Sequence, residues 1–126
     1  MGDSFKGQHG EELQRSHWES ALQLLSKEHE GELVTIEVEA RAFGDQHEAE
    51  KLPLAYLEYD PHDDEVSVAV GGRDGRFPVI LRHGIEHPSS IAVTTEEKYD
   101  PLVVQVVAPD GTKTLITLQR RSAPPA

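Results

Sequence analysis

The chain has 126 residues, enough for one domain and too few for two well-packed cores. It carries 23 acidic and 12 basic residues, net −11 with neutral histidines, so its surface repels phosphate backbones and anionic lipid headgroups. The absence of cysteine removes disulfides, zinc ribbons and thiol chemistry from consideration.

The charge is unevenly spread: residues 1–63 hold 15 acids and 5 bases, whereas residues 64–126 hold 8 acids and 7 bases. A basic partner or divalent cations suit the acidic half, although acids also simply keep a small domain in solution. No apolar run approaches the ~20 residues of a membrane-spanning helix. The opening lacks the basic-then-apolar order of a secretion signal, so a cytoplasmic location is expected. Residues 1–14 and the Pro/Ala-rich end, 120–126, read as flexible tails around a single domain, 15–119.

The first regular element is an amphipathic helix. Ser16 and Glu19 have the S-x-x-E spacing of a capping box, in which hydroxyl and carboxylate satisfy orphan N–H groups at a helix start. Trp18, Ala21, Leu22 and Leu25 follow at i, i+3, i+4 and i+7, one apolar stripe. Gly31 then supplies a left-handed stop. A helix this short is marginal alone in water, so its stripe has to be buried against a sheet.

Strands follow. Val34, Ile36, Val38 and Ala40 alternate with polar residues in the run 32–41, and 43–45 (Phe-Gly-Asp) reads as a turn. The next extended run, His47–Tyr59, contains Pro53, which lacks a ladder donor and predicts an edge or a bulge. Residues 60–64 form a turn, Val66, Val68 and Val70 a third strand, and the glycine-rich 71–75 a break. Strands are expected from Phe77 to Arg82, Ser90 to Thr95 and Leu102 to Val107. Pro109-Asp110-Gly111 has the chemistry of a type I turn with a glycine bulge, and Thr112–Leu118 completes that hairpin.

Turn signals every 8–12 residues between short strands, with one helix and no βα alternation, point to a mainly β, α+β domain. The expectation is one N-terminal helix followed by six or seven antiparallel strands, bent into an SH3-like or Sm-like half-barrel. A flatter sheet with the helix across one face is the alternative.

Trp18 with Leu22, the Gly31-x-x-Val-Thr-Ile-Glu-Val38 strand, the Ala49-Glu50-x-Leu-Pro-Leu54 segment and the closing Asp110-Gly111-Thr112 with Leu115 resemble a small bacterial family catalogued only as a domain of unknown function. The resemblance covers roughly residues 16–118. It implies a compact stand-alone domain of bacterial origin and no assigned activity, so no catalytic residue carries over. The Sm-like proteins share only the helix-then-strands order, and this chain lacks their basic surface.

Three clusters bear on chemistry. His83, Glu86 and His87 offer two imidazoles and a carboxylate within five residues, the ligand types of a transition-metal site. In an extended chain the two histidine α-carbons stand about 13 Å apart, so the site needs a turn at Gly84; otherwise these are two surface histidines. Residues 60–65 hold four acids and a histidine, but without the spacing of an EF-hand loop they read as a solvated hairpin tip. Glu37 and Glu39 share a strand face, with Glu48 and Glu50 opposite them if the first two strands pair, and most simply line the solvent side of a sheet. No nucleophile elbow, phosphate loop or stacking platform for nucleic acid is present.

The reading is a non-catalytic binding or self-association module that takes no cofactor, with a homo-oligomer or an unknown protein as partner and neither nucleic acid nor membrane. Apolar residues of both parities in Leu52–Tyr59 ask for cover on both faces, which a partner subunit could give. The alternatives are a metal- or small-molecule-binding protein using His83–His87 and, against the charge, Sm-like RNA binding.

Overall fold

Trp18–His29 forms the helix α1, and its start departs from the capping-box expectation. A 3-10 turn, Arg15–His17, precedes it, closed by the His17 N–H donating to the Gln14 carbonyl (2.8 Å). Ser16 is wound into that turn, so the N-cap falls on His17 and no side chain caps the helix. The computed structural model describes residues 11–40, 44–71, 79–95 and 102–119.

The stripe does what its spacing dictates. Trp18 and Leu22 are fully buried, Ala21 and Leu25 partly so, and Gly31 ends the segment at φ +85°. Among the described residues no helix is long and apolar enough to cross a membrane.

Eight strands follow the chain order: β1 (Glu11–Glu12), β2 (Leu33–Ala40), β3 (Gly44–Asp60), β4 (Glu65–Gly71), β5 (Val79–Glu86), β6 (Ser90–Thr95), β7 (Leu102–Val107) and β8 (Lys113–Gln119). They form one antiparallel sheet in the order β1-β6-β7-β8-β2-β3-β4-β5. Seven strands therefore follow α1, as expected. The short β1 before the helix was not; it draws Glu11 and Glu12 of the expected flexible segment 1–14 onto the edge of β6. Residues 1–10, the tail 120–126 and most of the break at 71–75 lie outside the described residues.

The sheet is open and does not close into a barrel: among the described residues β1 and β5 stand at its two ends and do not pair. It folds over on itself instead. Val104, Ile116 and Leu118 from one half share a single core with Val66, Val68 and Ile85 from the other, and Trp18 and Leu22 complete it.

The fold-over happens in β3. Its first part pairs with β2 as far as Pro53, opposite Leu33, and its last part, Leu54–Asp60, pairs with β4. Pro53 thus sits where the strand changes neighbours, and a bulge follows: Leu54 faces Val70 and Tyr56 faces Ala69, leaving Ala55 as the extra residue. The bulge reverses strand parity, so Leu54, Leu57 and Tyr59 all enter one core. One inserted residue, rather than a second covering layer, accounts for the mixed parity of Leu52–Tyr59.

Two local expectations change. Gly44 and Asp45 open β3 instead of forming a turn, with Gly44 opposite Ala40; Phe43 lies outside the described residues. Register slips after Val34 and Ile36 place Glu37 across from His47 and Glu39 across from Asp45, not beside Glu48 and Glu50. The closing hairpin is as read: Gly111 adopts φ +91°, its N–H meets the Ala108 carbonyl (2.9 Å), and Asp110 accepts from the Thr112 N–H (3.0 Å).

Candidate functional site

α1 runs beside β3 where β2 leaves it. The Gly31 N–H donates to the Leu54 carbonyl (2.9 Å) and the Leu54 N–H to the Glu32 carbonyl (2.8 Å). Past Leu54 no strand pairs this edge among the described residues. An uncovered strand edge is a template for further pairing, and proteins usually block it. Here α1 blocks one position, because Ser26 Oγ accepts the Leu57 N–H at 3.1 Å.

Above that bond, helix and edge bound a groove of ≈ 720 Å³. Ala55–Tyr59 form its floor; Glu19, Gln23, Leu24, Lys27 and Glu30 stand along its wall. Leu24 falls off the buried stripe and is 56% exposed, an apolar side chain among polar neighbours.

A hydrogen-bonded cluster closes the end of the groove at Tyr59. Its hydroxyl donates to Asp64 Oδ1 (2.7 Å), His87 Nδ1 meets Asp64 Oδ2 (3.1 Å), and Arg15 Nη1 stands 3.5 Å from Oδ1. Arg15 also donates through Nη2 to the Pro88 carbonyl (3.2 Å) and lies over the Trp18 ring, 4.2 Å from its centroid. Asp64 and His87 both hold positive φ, 53° and 52°, and the His87 N–H donates to the Asp64 carbonyl (2.7 Å). Two strained non-glycine residues are thus pinned to each other at the ends of neighbouring strands.

The Tyr59 hydroxyl, then the His87 imidazole, then Arg15 hold the Asp64 carboxyl below its ordinary 3.8. The same bond, with burial and the Asp64 charge, raises the Tyr59 phenol above 10.0. The depressed Asp64 contributes stability that is full above pH 3.8 and lost as pH falls through its folded value. The raised Tyr59 contributes stability that is full below pH 10.0 and lost as pH rises through its folded value. Tyr59→Phe therefore flattens the alkaline limb of a stability–pH profile and weakens the acid limb. Urea titrations across pH check this; an unchanged alkaline limb would show that the bond does not form in solution.

The sequence-predicted residues are dispersed. His83 lies across from Val68 and Glu86 across from Glu65. Strand alternation sets His83 on the face of Ile85 and Glu86 on the other. His87 follows β5 and turns to Asp64. Gly84 lies within β5 opposite Ser67, not in a turn, and the Glu65 carboxylate occupies the space a side chain would need there. Among the described residues no three His, Asp or Glu groups converge as metal ligands do. The acidic hairpin tip uses its oxygens internally: Asp60 accepts from the His62 N–H (2.9 Å), and Glu65 bonds Arg82 (3.2 Å).

With this geometry in hand, comparison with known proteins adds a family. The model of a family of unknown function, DUF5335, matches residues 9–126. The chain belongs to DUF5335. A relative described as an uncharacterized protein of Aquifex aeolicus (strain VF5) is 32% identical over 107 residues, covering 85% of this chain and 89% of that one. No solved structure matches. DUF5335 thus supplies kinship without an activity, and the residues themselves must carry the functional argument.

Two residues of the site escaped the sequence reading. Leu24 carried a signal, as an apolar residue one position off the stripe set by Ala21, Leu22 and Leu25. Arg15 carried none, because its partners Asp64 and Pro88 lie far along the chain.

Proposed function

We propose that this DUF5335 chain is a non-catalytic binding module whose docking surface is the groove between α1 and the Ala55–Tyr59 edge of β3. The observation that carries the reading is an exposed leucine in one groove with a strand edge that no strand pairs among the described residues. Strand edges beside helices are recurrent peptide-docking places, because main-chain groups give affinity and side-chain pockets give selectivity. The Asp64 cluster supports the same reading: Tyr59, His87 and Arg15 already engage its carboxylate, so it acts as a brace for the groove rather than as a free base.

A photo-crosslinking amino acid placed at position 24, and separately at position 79, tests this in cells. Val79 is also an exposed apolar residue, 43% accessible, but it sits on β5 away from the groove. Adducts from position 24 that are absent from position 79 are the expected result, whether the captured chain is another protein or a second copy. Equal capture at both positions, or none at 24, would sink the proposal.

A further inference from the structure

We infer that the groove between α1 and β3 takes a short extended segment of another protein, carrying basic side chains on either side of an apolar one. The inference rests on the docking surface proposed above and names its occupant. Among the described residues three carboxylates line the groove, Glu19, Glu30 and Glu58, against one cation, Lys27. A second copy would bring those acids against its own, within a chain whose net charge is −11, so charge disfavours self-pairing and favours a basic partner.

The spacing sets the pattern. Glu19 lies in the first turn of α1 and Glu30 just beyond its end, with the exposed Leu24 between them. Those ends are about 16 Å apart at 1.5 Å per helical residue. The first and fifth residues of an extended segment stand about 13 Å apart with the first, third and fifth side chains on one face, and long basic side chains at the two ends reach over the remaining ~3 Å. Basic, apolar and basic residues at those three positions meet Glu19, Leu24 and Glu30 in either chain direction. Ser26 already accepts the Leu57 N–H on the groove floor, so the side chains along the α1 wall, rather than main-chain pairing at Leu57, carry the recognition.

The test uses the full chain, isotope-labelled, and two capped peptides, Lys-Ser-Leu-Ser-Lys and Glu-Ser-Leu-Ser-Glu, followed by amide chemical shifts. Expected are saturable shifts confined to Glu19–Glu30 and Ala55–Tyr59 with the lysine peptide, and none with the glutamate peptide. Glu19→Gln with Glu30→Gln should weaken the lysine peptide on the order of fivefold, the loss of two exposed ion pairs. Added salt should weaken it in the wild-type chain. Equal shifts from both peptides in the groove would overturn the basic partner while leaving the docking surface standing. Shifts elsewhere, or none from either peptide, would overturn both.

Discussion

Replacing Trp18 with alanine lowers the unfolding free energy by about 3–5 kcal/mol, the usual cost of truncating a buried indole. Trp18 is 2% exposed and joins α1 to the sheet in several ways at once. Its ring meets Tyr59 edge-on, with centroids 5.2 Å apart and planes at 86°. Its Nε1–H donates to the Leu13 carbonyl (3.2 Å), and the Leu13 N–H in turn donates to the Ile91 carbonyl (2.8 Å). The guanidinium of Arg15 covers the outer side. Against a typical total of about 5–15 kcal/mol, the loss brings the domain close to the unfolding threshold. Trp18→Phe keeps an aromatic ring against Tyr59 and gives up the Nε1 bond, so it costs less, about 1–2 kcal/mol. Urea denaturation followed by circular dichroism measures both variants. A Trp18→Ala change smaller than that of Trp18→Phe would mean that the indole does not anchor the helix.

What was legible in the sequence was local. Trp18 and Leu22 could be assigned to the core from spacing alone, because a stripe at the helical period has only one face to bury. β6 and β7 fall on the expected runs Ser90–Thr95 and Leu102–Val107, and the last hairpin follows from a three-residue turn whose glycine takes a left-handed angle. Reasoning from neighbours in the chain stops where contacts join distant segments. His83, Glu86 and His87 looked like a cluster because they are neighbours in the chain, yet a strand sends its first two to opposite faces. Asp64 read as one acid among several in a turn; its engagement by Arg15, Tyr59 and His87 depends on three elements meeting. The groove was invisible for the same reason, since it needs α1 laid beside one half of β3. Pro53 pointed to an irregularity in β3, but a proline cannot say on which side of itself the extra residue falls.

That extra residue supplies the other large expected effect. Deleting Ala55 removes the bulge while leaving every core side chain in the sequence. Leu54 faces Val70 and Leu57 faces Val68 only because three residues of β3 span two of β4. With Ala55 gone, keeping Leu54 in place turns Leu57 and Tyr59 toward the outer face, since a one-residue slip reverses all side chains beyond it. Keeping Leu57 in place instead drags Pro53 and Leu52 out of register with Leu33 and Val34. Leu57 is fully buried and Tyr59 nearly so, and losing both burials costs about 3–6 kcal/mol before the Trp18 and Asp64 contacts of Tyr59 are considered. The deletion is therefore expected to leave the chain largely unfolded by circular dichroism and amide dispersion, whereas Ala55→Ser, which keeps the residue count, changes stability little. A folded deletion variant with native dispersion would show that β3 reaches its two neighbours without the bulge, and the core's register would then have to be set by β4 and α1 instead.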